Sequence, residues 1–61
     1  MKEIREAVKK MIIAQGGKLY GYNITMLRNK YGWTGTQIQN ATDYFRFSPQ
    51  QKAFREKYNY G

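Results

Sequence analysis

The sequence predicts a small all-α protein: a compact bundle of about four short helices with a central helix-turn-helix. Three observations lead to this fold class. Apolar residues recur at helical spacing in four segments, Gly or capping residues separate these segments, and the one Pro follows a Ser at a helix start. With 61 residues, the chain is expected to form one domain over 1–61.

The first helix is predicted over residues 2–15. Its apolar residues follow the i, i+3, i+4 pattern of a single helix face: Ile4, Ala7, Val8, Met11 and Ile12. Acidic residues near its start and lysines nearer its end suit the helix dipole. Gly16 and Gly17 then provide a C-terminal stop.

The second helix is predicted over residues 24–31, with Asn23 as its N-cap and Gly32 at its end. The preceding stretch, residues 18–22, reads KLYGY and has no helical periodicity. An alternative fold follows from this stretch. If it pairs with residues 44–48 as short strands, the domain is a small winged helix.

Capping signals predict the remaining two helices. Thr34 and Gln37 have the T-x-x-Q spacing of a capping box, which begins a helix over residues 35–46. Ser48 and Gln51 repeat the pattern around the proline and predict a helix over residues 49–58. This second box favours the helical fold over the winged one. Tyr60 and Gly61 are expected to fray.

The predicted core combines the inward residues of the first three helices with one aromatic residue of the turn. Because a chain of this size buries only roughly 60% of its unfolded surface, these residues must provide most of the stability. They are Ile4, Val8, Met11, Ile12, Leu27, Tyr31, Trp33, Ile38, Ala41 and Phe45.

Residues 24–43 resemble the twenty-residue helix-turn-helix of DNA-binding regulators. The places that are apolar or glycine in that motif are occupied here by Leu27, Tyr31, Gly32, Trp33, Ile38 and Ala41. The fifth place, usually a small residue where the helices touch, is Arg28, which departs from the pattern. The resemblance implies that the helix over residues 35–46 enters the major groove of duplex DNA.

This helix is rich in uncharged polar residues. When its residues are placed around the helix axis at about 100° each, many of these side chains lie opposite Ile38. Asn and Gln side chains can pair bidentately with adenine, and Thr can contact thymine. Asp43 would repel phosphate but can accept a hydrogen bond from cytosine. The N–H groups at the helix start suit a phosphate. The residues expected to read bases are Thr34, Thr36, Gln37, Gln39, Asn40 and Asp43.

The net charge of +7, from eleven Lys and Arg against four acidic residues, indicates a polyanionic partner. Cations that contact phosphates supply affinity rather than sequence choice. Those expected to contact the DNA backbone are Lys18, Arg28, Lys30, Arg46, Lys52 and Arg55.

The predicted function is therefore non-enzymatic, sequence-specific binding of duplex DNA, as in small transcription regulators of phages and mobile elements. The chain contains no His and no Cys, so the usual general base, thiol nucleophile and zinc ligands are absent. No metal or cofactor is expected. The lack of a long apolar run or a secretory-type start predicts a cytoplasmic protein without a membrane partner.

Two alternative functions fit the same composition. The protein can be an interaction module that docks on an acidic surface of a larger partner through exposed aromatic residues, for which the candidates are Tyr20, Tyr22, Trp33 and Phe47. It can also bind RNA. A homodimer is compatible with either function.

Overall fold

The computed structural model describes residues 2–60, which form four α-helices and no strand. The helices are α1 (Lys2–Ala14), α2 (Gly21–Tyr31), α3 (Gly35–Phe47) and α4 (Lys52–Tyr58), with a 3-10 turn over Pro49–Gln51. The predicted all-α class is confirmed. The winged-helix alternative is wrong, because α2 already begins at Gly21 and residues 44–47 continue α3. No helix in residues 2–60 is long and apolar enough to cross a membrane.

Helix α3 lies at the centre of the fold, because α1 and α2 both pack on it extensively. Helix α1 directs residues spaced four apart into the core, which is the period of one helix face. Seven predicted core residues are buried: Ile4, Val8, Ile12, Leu27, Ile38, Ala41 and Phe45. Met11 and Trp33 are half-buried against this cluster.

Two aromatic residues lie where the sequence did not predict them. Tyr31, expected in the core, is 46% exposed and stacks on Trp33 with 4.2 Å between ring centroids. Tyr60, expected to fray, is only 6% exposed. The left-handed backbone of Asn59 turns the chain back over α4, and the Tyr60 N–H donates to the Arg55 carbonyl at 2.9 Å. Gly61 lies outside the described residues.

Helix α2 starts three residues earlier than predicted because Asn23 does not act as its N-cap. Asn23 is the third residue of the helix and is buried. Its Oδ1 accepts a hydrogen bond from the Tyr20 N–H at 2.8 Å. This is the return bond that Glu or Gln usually makes in a capping box, so Asn23 stabilises the helix start from within.

One of the two predicted capping boxes forms. The Gln37 N–H donates to Thr34 Oγ1 at 3.1 Å, and the Thr34 N–H donates to Gln37 Oε1 at 2.9 Å. The box predicted at Ser48 is wrong, because the Ser48 side chain makes no capping bond. Instead, Gln51 Nε2 donates to the Tyr44 hydroxyl at 3.1 Å, and a short 3-10 turn leads into α4.

The connection between α1 and α2 lies against the end of α4. Gly17 is buried with a φ of +94°, and a Cβ at this position would overlap the carbonyl oxygen of Tyr58. The helices are joined further by aromatic contacts. The rings of Phe45 and Phe54 are 5.2 Å apart, and the Arg5 guanidinium lies 3.9 Å from the centre of the Tyr44 ring.

Candidate nucleic-acid interface

Helices α2 and α3 are joined by a tight turn of three residues, 32–34. Gly32 has a left-handed backbone, with φ 76° and ψ 11°, and its N–H donates to the Arg28 carbonyl at 2.8 Å. The Arg28 side chain is exposed, so it does not occupy the contact between the two helices. Arg28 is the one departure from the helix-turn-helix pattern, and the fold accommodates it because its side chain points outward.

Helix α3 has a buried inner face and a polar outer face. The inner face carries Ile38, Ala41, Thr42 and Phe45. The outer face, which we define as Thr36, Gln39 and Asn40, is exposed as predicted. Burial of Thr42 was not predicted, although the same placement around the helix axis sets it about 40° from Ile38. Its hydroxyl donates to the Gln39 carbonyl at 2.7 Å, which satisfies the buried group.

The other three residues predicted to read bases make contacts within the protein. Thr34 and Gln37 hold each other in the capping box at the start of α3. Asp43 is half-buried and accepts a hydrogen bond from Gln39 Nε2 at 3.0 Å. Because an amide nitrogen carries two hydrogens, Gln39 keeps one donor and its carbonyl oxygen for a further partner.

Exposed cations stand at both ends of the outer face. Arg28 and Lys30 lie in the last turn of α2, next to the start of α3, and Arg46 lies in the last turn of α3. A helix of 13 residues is about 20 Å long, so these groups are well separated. Lys18 is exposed and follows Gly17, which contacts Tyr58. It therefore lies near the end of α4.

The two cations of α4 differ in their surroundings. Lys52 is exposed at the start of the helix. Arg55 is half-buried, and its Nη1 donates to the carbonyl oxygens of Phe45 and Ser48 at 2.8 and 2.7 Å. These carbonyls belong to the end of α3, where backbone acceptors lack helical partners. Arg55 therefore joins α4 to α3 through hydrogen bonds within the protein.

The aromatic residues of the alternative docking function are exposed to different degrees. Tyr20 and Tyr22 are exposed and stack with 5.6 Å between ring centroids, and Phe47 is 69% exposed at the end of α3. Trp33 is half-buried beneath Tyr31. Within residues 2–60, no group of His, Cys, Asp or Glu is arranged to hold a metal ion.

No protein-family model, curated protein or solved structure matches this chain. The function is therefore inferred from the geometry of the outer face and the cations around it.

Proposed function

We propose that this protein is a non-catalytic DNA-binding protein that recognises specific duplex sequences with the outer face of α3. The observation that supports this most is the shared exposure of Thr36, Gln39 and Asn40 opposite the buried Ile38. Asn and Thr form helices less readily than Ala, Lys or Glu. Their presence on a solvent face lowers stability slightly, which indicates a use other than solubility.

The dimensions of α3 suit the major groove. An α-helix with side chains is about 10–12 Å wide, and the major groove of B-DNA is about 12 Å wide. In this arrangement the Asn40 amide pairs with adenine, and the Thr36 methyl contacts thymine. The bond from Gln39 to Asp43 orients a second amide toward the bases. RNA is a poorer partner, because the A-form major groove is too deep and narrow for side chains to read.

The cations provide the affinity in this proposal. Arg28 and Lys30 at one end of α3, and Arg46 at the other, contact phosphates on either side of the groove. The net charge of +7 attracts the protein to any duplex before the outer face selects a site. A small regulator of a phage or mobile element, acting in the cytoplasm where such DNA lies, fits this combination.

Replacing Asn40 by Ala tests the outer face. The variant should bind its best site less tightly, since a good bidentate contact is worth roughly 1–3 kcal/mol of discrimination. Binding to non-specific duplexes should be unchanged. Because Asn40 is exposed and Ala is the better helix former, the melting temperature should stay the same or rise slightly. Selection of sites from a randomised duplex pool, together with thermal melts, measures both effects.

Asn29→Ala is the matched control for this experiment, because Asn29 is also exposed but lies on α2. It should select the same sequences as the parent. If Asn40→Ala also selects the parent's sequences, α3 does not read bases, and the proposal is wrong.

Replacing Arg28 and Arg46 together by Ala tests the phosphate contacts. Affinity should fall about equally for all duplexes, and the slope of log K against log salt should become shallower by about 1 for each contact removed. A Lys2→Ala, Lys9→Ala variant loses the same charge from α1, whose buried residues pack with the inner face of α3. It should keep the parent slope. Equal salt slopes in the two double variants would show that DNA affinity depends on net charge alone and not on phosphate contacts by Arg28 and Arg46.

A further inference from the structure

An apolar groove separates α1 from α2. Both helices pack extensively on α3 and much less on one another, and a cleft of about 710 Å³ lies between them. Its walls run from Ala7 to Ala14 on α1, with Gln15 just after that helix, and from Asn23 to Tyr31 on α2. At 1.5 Å per residue the groove is about 12 Å long, which matches about two turns of a helix. No residue of α3 lines it.

The side chains of the groove suit a helical partner. Met11 on one wall and Met26 on the other are flexible thioethers that can adapt to an incoming apolar surface. Met26 is 54% exposed, although it is a long apolar side chain. Such a groove between two helices is a common binding site for the apolar face of a third helix, anchored at i, i+3, i+4 and i+7.

The charge of the groove indicates which helix it accepts. One lysine stands on each wall, Lys10 on α1 and Lys30 on α2, and no carboxylate lines the groove. A helix with acidic residues flanking its apolar face would meet a cation on both sides. A second copy of the chain would bring the same basic groove and another +7 of net charge, so repulsion disfavours it.

A buried amide nitrogen without an acceptor lies at one end of the groove. Gln15 lines the groove, and its Oε1 accepts a hydrogen bond from the Tyr22 hydroxyl at 3.0 Å. Its Nε2 is buried and has no acceptor within residues 2–60. Leaving a buried donor without an acceptor is unfavourable. Because this nitrogen has almost no accessible surface, an acceptor on a bound helix reaches it only when the Gln15 side chain moves.

We propose that the groove between α1 and α2 binds an amphipathic, acidic helix of a partner protein. The apolar face of that helix packs on Met11 and Met26, and its flanking carboxylates pair with Lys10 and Lys30. This site is separate from the outer face of α3, so partner binding and base reading involve different surfaces. Lys30 belongs to both the groove and the cations near α3. A bound acidic helix that pairs with Lys30 therefore prevents this lysine from contacting a DNA phosphate.

A synthetic peptide of about sixteen residues tests this proposal, since shorter isolated helices are marginal in water. The peptide carries Leu along one face and Glu on the others, and a second peptide has Lys at every Glu position. Anisotropy of the labelled peptides with the whole protein should show saturable binding of the Glu peptide and none of the Lys peptide. The methyl NMR signals of Met11 and Met26 should shift on binding.

Two matched pairs of variants locate the site. Met26→Glu should weaken peptide binding at least about tenfold, whereas Phe47→Glu adds the same charge away from the groove and should change it little. Lys10→Ala should weaken binding, whereas Lys9→Ala, next to it but not lining the groove, should not. Thermal melts of each variant confirm that it is folded.

Three results would overturn the proposal. One is the absence of saturation by the Glu peptide at about 1 mM. Another is equal binding by the parent and Met26→Glu. A third is concentration-dependent self-association that Met26→Glu removes, which would show that a second copy occupies the groove. None of these results bears on Asn40→Ala, because the DNA experiment concerns a different surface.

Discussion

Replacing Ile38 by Ala should lower the free energy of unfolding by roughly 2–5 kcal/mol. Ile38 is completely buried on the inner face of α3, the helix on which both α1 and α2 pack. The loss has two parts. One is the transfer free energy of the deleted methyl and methylene groups, and the other is the cost of a cavity that the neighbouring side chains fill only in part. Because a small domain has a stability of about 5–15 kcal/mol, the effect should be evident in urea denaturation followed by circular dichroism.

Phe47→Ala is the control, since it removes a larger apolar side chain of the same helix that is 69% exposed. It should change stability by no more than about 0.5 kcal/mol. If Ile38→Ala unfolds at the same urea concentration as the parent, Ile38 does not belong to the core.

Replacing Gly17 by Ala should destabilise the protein by about 3 kcal/mol or more. The φ of +94° strains any residue with a Cβ, and the added methyl group overlaps the backbone carbonyl of Tyr58, which cannot rotate away as a side chain can. Either the turn after α1 or the end of α4 must move. Thermal and urea denaturation of the variant measure the loss.

Gly16→Ala separates the two causes. Gly16 also has a positive φ, +69°, but no atom lies within 4 Å of the position its Cβ would take. The strain alone should cost only about 1–2 kcal/mol. Equal losses in the two variants would mean that the contact between Gly17 and Tyr58 contributes little.

The helix ends predicted correctly are those determined by nearby residues. Gly32 ends α2 through its own left-handed backbone, and Thr34 with Gln37 begins α3 through bonds within four residues. The wrong start of α2 also has a local cause, the bond between Tyr20 and Asn23, but two other errors have more distant causes. Arg55 reaches ten residues back to the Phe45 carbonyl, and Tyr60 is buried by packing against helices remote in sequence. Neither contact leaves a periodic or capping signal in the chain.

The outer face of α3 and the groove between α1 and α2 differ in the same way: the first depends on residues close in sequence and the second on distant contacts. The exposure of Thr36, Gln39 and Asn40 follows from the helical period and was predicted correctly. The bond from Gln39 to Asp43 joins residues i and i+4, a spacing from which it was predictable. The groove between α1 and α2 was not predictable, because its existence depends on how far apart two helices lie when both rest on a third.

The contact between Gly17 and Tyr58 also has a consequence for the order of folding. This contact closes a loop of about forty residues, whereas each helix forms between residues close in sequence. Closing the loop costs conformational entropy, and that cost is smaller when the helices in between have already packed. We therefore expect this contact to form after α1 and α3 have packed. The destabilisation in Gly17→Ala should then appear mainly as faster unfolding, with a nearly unchanged folding rate, in stopped-flow measurements. Ile38→Ala should slow folding as well. The end of α4 thus controls how long the native state lasts rather than how quickly it is reached.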